Sequence, residues 1–252
     1  MMNLLAIDIG NTNITAGVFK GEKLLKKAKL PTPSSSSYIR RFKALIKESG
    51  IELNKVDEAI VSSVVPLALA RLVVELRRMS SKIKIIVVGK DIKVPIRNMY
   101  KVKSEVGQDR LVDAFAAKII YGAPAVVIDF GTAITFDVIS KKGDYLGGLI
   151  LPGIELSLSS LYRNTALLPK VELRDASSII GKDTVNSMRG GILFGFGAMC
   201  DGLVAQYRKV LGGSIKVIAT GGNSSLMKKY ARSIQMRDED LTLKGLQLIS
   251  KI

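Results

Sequence analysis

Leu4-Leu5-Ala6-Ile7-Asp8-Ile9-Gly10-Asn11-Thr12-Asn13-Ile14-Thr15-Ala16-Gly17-Val18-Phe19 is the stretch whose reading decides the fold of this 252-residue chain. An apolar run ends in an acid and a glycine, turns through Asn11-Thr12 and resumes as a second apolar run, the pattern of a β-hairpin. The same order returns at Ala125-Val126-Val127-Ile128-Asp129-Phe130-Gly131-Thr132-Ala133-Ile134-Thr135-Phe136-Asp137-Val138-Ile139. With one gap, both stretches carry Ile-Asp-x-Gly, then Thr, Ile-Thr and Val. An internal repeat of this kind implies two similar half-molecules.

Working outward, Glu22–Leu30 reads as a third strand, Ser37–Ser49 as an amphipathic helix and Glu58–Val64 as a strand. Pro66–Met79 follows as a helix with proline at its start, and Ile83–Val88 as a strand. Leu111–Ile120 is an apolar, alanine-rich helix. After the second hairpin come the strand Tyr145–Leu151, helical stretches through Tyr207, the strand Ile215–Thr220 and a final helix. Three-strand meanders followed by alternating helix and strand define an α/β class. The turn-rich Tyr121-Gly122-Ala123-Pro124 places the boundary between halves 1–121 and 122–252. Pro31–Ser36 is the one low-complexity patch, expected as a surface loop.

Composition narrows the function. The chain is 47% hydrophobic and 24% charged, as in an ordinary globular protein. Arg71 and Asp201 interrupt the two best apolar stretches, so none is expected to reach the roughly 18 uncharged residues of a membrane span. Met1-Met2-Asn3 leads straight into a strand-like run. One cysteine, Cys200, cannot form an internal disulfide, and the expected location is the cytoplasm. The net charge of +16 comes from dispersed lysines and arginines. With few aromatics to stack on bases, it reads as a solvated surface that attracts anions rather than a nucleic-acid site. Histidine is absent, which excludes any His-dependent triad or zinc site and leaves a carboxylate as the first choice of general base.

The chemistry-bearing residues sit at strand ends. Asp8-Ile9-Gly10-Asn11-Thr12 and Asp129-Phe130-Gly131-Thr132 each set a carboxylate before a glycine turn whose amides and hydroxyls can face an anion. An Asp-x-Gly turn is common hairpin chemistry, but two matched copies point to paired phosphate loops across a cleft between halves. Glu105-Val106-Gly107-Gln108-Asp109-Arg110 precedes a helix. Its Asp and Arg are either a cap with surface charge or a base beside an anion-binding guanidinium. Gly147-Gly148 through Gly153 and Thr220-Gly221-Gly222 each follow a strand and precede a helix, positions where backbone can pack against a nucleotide.

Taken in order, these motifs together with Ser62-Ser63-Val64-Val65-Pro66, Thr165-Ala166-x-Leu168-Pro169 and Gly181-Lys182-x-Thr184 resemble the type III pantothenate kinases over almost the whole chain. The resemblance implies a duplicated actin-like (ribonuclease H-like) ATPase fold, a homodimer, and transfer of the ATP γ-phosphoryl group to the hydroxyl of pantothenate at the start of coenzyme A synthesis. By the same resemblance Asp8, Ile9, Gly10, Asn11, Thr12, Asn13, Ile14 and Thr15 form the first ATP loop, Thr132 contacts ATP, and Asp109 accepts the proton. Asp129 would hold a monovalent cation, potassium or ammonium, and Asp8 would help organise Mg²⁺. Tyr100, Gly107, Gln108, Asp109, Arg110 and Thr184 would line the pantothenate pocket. The chain departs from the family at Val102-Lys103, where Asn-Pro is usual, which frees one backbone torsion and restores an N–H. A kinase for a sugar or another carboxylic acid, and a non-enzymatic transcription accessory, are the competing readings. The three aspartates argue against the non-enzymatic reading.

Overall fold

The computed structural model describes residues 1–32 and 38–252. The first strands are β1 (Asn3–Ile9), β2 (Asn13–Lys20) and β3 (Lys23–Pro31), an antiparallel meander. Helix α1 (Tyr38–Glu48) follows, then β4 (Glu58–Ser63), α2 (Pro66–Met79) and β5 (Lys84–Val87). β4 runs parallel to β1 and β5 parallel to β4, giving a sheet of order β3-β2-β1-β4-β5. Helix α3 (Gln108–Tyr121) leads to a second meander of β6 (Ala125–Phe130), β7 (Ala133–Ile139) and β8 (Tyr145–Pro152). Helices α4 (Ile154–Arg163) and α5 (Thr184–Leu211) precede β9 (Lys216–Thr220), the single turn α6 (Ser224–Met227), β10 (Met236–Arg237) and α7 (Leu241–Ile249). The second sheet has the order β8-β7-β6-β9-β10, with β6, β9 and β10 parallel. The repeat in sequence is therefore a repeat of topology.

Burial explains the sequence pattern of the first sheet. One face carries Leu5, Ile7, Ile9, Ala59 and Val61 into a core closed by Phe42, Leu45 and Ile46 of α1 and Leu72, Leu76 and Met79 of α2. On the alternate positions Leu4, Ala6 and Ile60 are also fully buried. Helix α7 supplies that side. A side chain at Gly17 would meet Leu243, and Gly245 lies within 2.8 Å of the Val112 carbonyl of α3, measured from where its Cβ would stand. Strands buried on both faces read as near-continuous apolar runs, as Leu4–Ile7 does. The second core gathers Val126, Ile128 and Phe130 of β6 against Leu193, Cys200 and Val204 of α5.

Two differences from the sequence reading follow. The compact units are not the contiguous halves 1–121 and 122–252. Residues 1–96, 102–116 and 240–252 form one unit, and 97–101 with 117–239 the other. The final helix groups with the first unit because it packs on the second face of β1, β2 and β4, a need that its own apolar stripe does not announce. Second, α5 is 28 residues long with an 18-residue window of mean hydropathy 1.2, long and apolar enough to cross a membrane by length and composition. Its buried Leu193, Gly197, Cys200 and Val204 recur at helical spacing, as in a helix packed on a sheet. Of the expected loop Pro31–Ser36, residues 33–36 lie outside the described residues, as does Ser37. Pro31 ends β3, and Thr32 is buried rather than on the surface.

Candidate active site

Asp8 is half-buried near the end of the central strand of the first sheet, where β1, β4 and β5 all present their carboxyl ends. Its neighbours in register are Thr15 on β2 and Ser62 on β4. Register partners share a face of a sheet, so the carboxylate is flanked by two hydroxyls. The second sheet repeats this arrangement, with Asp129 on β6 between Thr135 on β7 and Thr220 on β9. Thr15 is already expected in the first ATP loop; the other flanking hydroxyls were not deduced from the chain, although Ser62 and Thr220 fall within motifs already singled out. Strand register brings them beside the acids, and register is invisible in single motifs. Ser62 is fully buried, and its Oγ has no hydrogen-bond partner among the described residues.

The loops after these strands also match. Gly10 donates its N–H to Asn13 O at 2.9 Å, and Gly131 donates to Ala133 O at 3.1 Å. In the second loop, a Cβ on Gly221 would collide with the Asp129 carboxylate and come within 2.7 Å of the Phe130 carbonyl carbon, while its φ is +84°. Gly153 lies as close to the loop backbone, where an added Cβ would strike the Thr132 and Gly131 carbonyls. Both glycines stand at strand-to-helix turns where backbone can pack against a nucleotide. In the second unit they pack against the Asp129 loop itself, and glycine is required because any side chain would displace it.

Asp109 stands in the first turn of α3 and belongs to the same unit as Asp8. The helix begins three residues earlier than the sequence pattern predicts, because polar Gln108, Asp109 and Arg110 form its first turn. Gly107 holds this turn onto β4. A Cβ there would meet the Asp109 carboxylate and lie 3.3 Å from Val64. Val64 in turn donates its N–H to Ile9 O at 3.1 Å, one residue from Asp8. Gly89, at φ +85°, is pressed in the same way against Gln108 at the end of β5. The Asp8 strand end and the Asp109 turn are thus joined through Val64 at the carboxyl ends of parallel strands, the usual ligand-binding edge of an α/β sheet.

Burial pushes the Asp109 carboxyl above its ordinary pKa, and this outweighs the Arg110 N–H bond and the nearby guanidinium charge, which both hold it down. That N–H donates to Asp109 Oδ1 at 2.8 Å. Arg110 is itself only 8% exposed. Asp109 is therefore a carboxylate whose affinity for a proton has been raised, with one oxygen held in place.

The remaining predicted residues lie in the second unit. The Tyr100 ring lies against Gly147, where an added Cβ would stand only 3.1 Å from it. Thr132 is exposed in the second loop. Thr184 opens α5 beyond Asp183, whose carboxylate caps the helix by accepting from Asn186 N at 2.8 Å. The Val102-Lys103 departure falls at the entry to a 3₁₀ turn. Val102 has φ −112° and ψ 97°, an extended conformation like that of residues before proline, and the 3₁₀ turn Lys103–Glu105 follows it. Behind Asp129 and Thr135, Asp137 is buried and accepts from the Thr135 hydroxyl at 2.8 Å and the Tyr145 hydroxyl at 2.9 Å.

Two sheets of one order, each with an Asp-Gly loop ending its central strand, define an actin-like ATPase fold. Solved structures share it. A Campylobacter jejuni protein described as a Baf family transcriptional activator has TM-score 0.59 and 22% identity over 98% of this chain and 97% of its own. The inorganic polyphosphate/ATP-glucomannokinase of Arthrobacter sp. strain KM has TM-score 0.51 and 15% identity over 98% of both chains. At such identities the likeness is one of fold alone. Sequence goes further. The type III pantothenate kinase family profile matches residues 4–206. Type III pantothenate kinases of Myxococcus xanthus and Halalkalibacterium halodurans are 41% and 37% identical over 98% of this chain, covering 97% and 98% of theirs. The chain belongs to the type III pantothenate kinase family.

Proposed function

We infer that Asp109 accepts the hydroxyl proton of pantothenate while the Asp8–Thr15 loop holds the ATP phosphates. The chain is a pantothenate kinase, transferring a phosphoryl group to an alcohol in coenzyme A biosynthesis. Phosphoryl transfer asks a protein mainly to position two reactants and to neutralise charge on the phosphoryl oxygens. The observation that carries the assignment is Asp109 itself, buried enough to have a raised proton affinity and tied through Gly107 and Val64 to the Asp8 strand end. A base works best when its pKa lies nearer the working pH than that of a free carboxylate. Arg110 offers a charge for the pantothenate carboxylate, and the roles of Tyr100 and Thr184 toward pantothenate rest on the family resemblance alone.

The residues present fit the cations that such a reaction uses. Asp8 with Thr15 and Ser62 supplies oxygen donors suited to Mg²⁺, which commonly takes one protein carboxylate, phosphate oxygens and water. Among the described residues no three acids gather into a cage, consistent with ions held partly by substrate. Asp129 between Thr135 and Thr220 supplies the oxygen donors for potassium or ammonium. Such cations would neutralise charge on the phosphates, and Thr132 would meet ATP from the second loop.

A homodimer and a cytoplasmic location belong to the same reading. The dimer is supported by α5, whose apolar window is only 33% buried within the chain, and sedimentation at about twice 27.2 kDa checks it. The activity is tested by ADP release with pantothenate, a panel of sugars, and acetate. Turnover on a sugar and none on pantothenate would overturn the assignment.

A further inference from the structure

A loop that binds phosphate through its amides must keep its carbonyl oxygens off the side the anion occupies, because those oxygens repel it. In the first loop one residue takes up two of them. Thr32 donates its N–H to Thr12 O at 2.9 Å and its hydroxyl to Gly10 O at 2.6 Å. Thr32 is 6% exposed, so these bonds are shielded from competing water. The second loop contains half of the same brace. Pro31 faces Asn13 in register as Pro152 faces Ala133, and Gly153 N–H donates to Thr132 O at 3.0 Å. Thr32 and Gly153 are thus equivalent positions of the repeat. Glycine is forced on the second by the loop carbonyls pressed against it. At the first there is room for a side chain, and that side chain is a hydroxyl bonded to the loop.

Thr32 is in turn held from α1 and α2. The Tyr38 hydroxyl donates to Thr32 O. Tyr38 is 3% exposed, and the Arg71 guanidinium lies 5.5 Å from its ring centroid. Glu75 of α2 accepts the N–H groups of Tyr38 at 2.7 Å and Ile39 at 3.2 Å, fixing the start of α1. The ring that carries the hydroxyl is thereby fixed at both its backbone and its face.

We propose that Thr32 is a positioning residue for ATP, bracing the Gly10–Thr12 carbonyls away from the phosphates, with Tyr38 as its anchor. This rests on reading Asp8–Thr15 as the ATP phosphate loop. Its consequence is selective. Losing the brace loosens the ATP loop and leaves the Asp109 turn, held by Gly107 on Val64, in place.

The test is steady-state kinetics with each substrate varied, together with melting temperature, for Thr32→Val, Thr32→Ser, Tyr38→Phe and Asn11→Asp. Thr32→Val should raise the ATP KM roughly tenfold, the scale of one shielded hydrogen bond whose acceptor is left unpaired. The pantothenate KM and kcat should stay within about twofold, and Thr32→Ser should restore the ATP KM. Tyr38→Phe should raise the ATP KM severalfold, and it carries the test should Thr32→Val fail to fold. An unchanged ATP KM in folded Thr32→Val or Tyr38→Phe overturns the proposal. So does a parallel rise of both KM values with a lowered melting temperature, the mark of a merely structural role. Asn11→Asp separates the two levels of inference, since a carboxylate on a phosphate loop must weaken ATP. If Asn11→Asp leaves the ATP KM unchanged, the loop reading fails; if it raises the ATP KM and Thr32→Val does not, only the brace fails.

Discussion

Replacing Asp109 with Asn separates the chemistry of this carboxylate from its shape. The amide keeps an oxygen where Asp109 Oδ1 now accepts the Arg110 N–H at 2.8 Å, so the first turn of α3 should keep its geometry. What is lost is the ability to take a proton. General-base catalysis contributes roughly 10²–10⁴ in rate, so kcat should fall by about that factor, equivalent to roughly 3–5 kcal/mol of barrier. Stability should move the other way. Burial raises the native pKa of Asp109, so the folded protein binds this proton more tightly than the unfolded chain does. The stability this supplies is fully present below the unfolded pKa and is lost as pH rises through the raised native value. At neutral pH the ionised group is a net cost, which Asn removes, and the variant should melt no lower than the parent. The same shift predicts that the acid limb of kcat/KM lies above the ordinary carboxylate range and disappears in the variant. The assay is ADP release across pH with a melting curve on each protein. Turnover within a few-fold of the parent, with the acid limb unmoved, would refute the assignment of Asp109 as base.

Gly221→Ala should cost roughly 2–5 kcal/mol, combining a left-handed backbone conformation with overpacking against Asp129 and Phe130. Gly202→Ala on α5 meets nothing within 4 Å and should be neutral or stabilising by up to about 1 kcal/mol. Urea midpoints that fail to rank the two in this order would contradict the packing described for the second loop. Chelation of divalent ions should abolish turnover, and replacing potassium or ammonium by sodium should lower it. Full activity in chelator-treated, sodium-only buffer would remove the cation roles given to Asp8 and Asp129.

The elements were legible where apolar periodicity is strong. Pro66–Met79 was read with its boundaries intact because proline marks the first turn. The start of α3 was read three residues late because polar residues in a first turn carry no apolar signal. Asp8 and Asp129 were found through the duplication, and Asp109 through resemblance and the absence of histidine. Ser62, Thr220 and Thr32 acquired their roles only in the structure. Each lies far along the chain from the acid or loop it serves, and no local pattern reports that distance has been closed.

Sequence alone determined that this protein is built from two copies of one hairpin-led unit, because Ile-Asp-x-Gly followed by Ile-Thr is a local pattern whose meaning survives without its surroundings. It also determined the family, since ordered motifs need no coordinates. Tertiary structure decided which hydroxyls flank each aspartate, why Gly153 and Gly221 must be glycine, and that residues 240–252 return to the first unit. The physical reason is common to all three. Strand register, the close approach of one backbone to another and the cover of a sheet's second face are relations between distant segments, fixed only when the chain has packed.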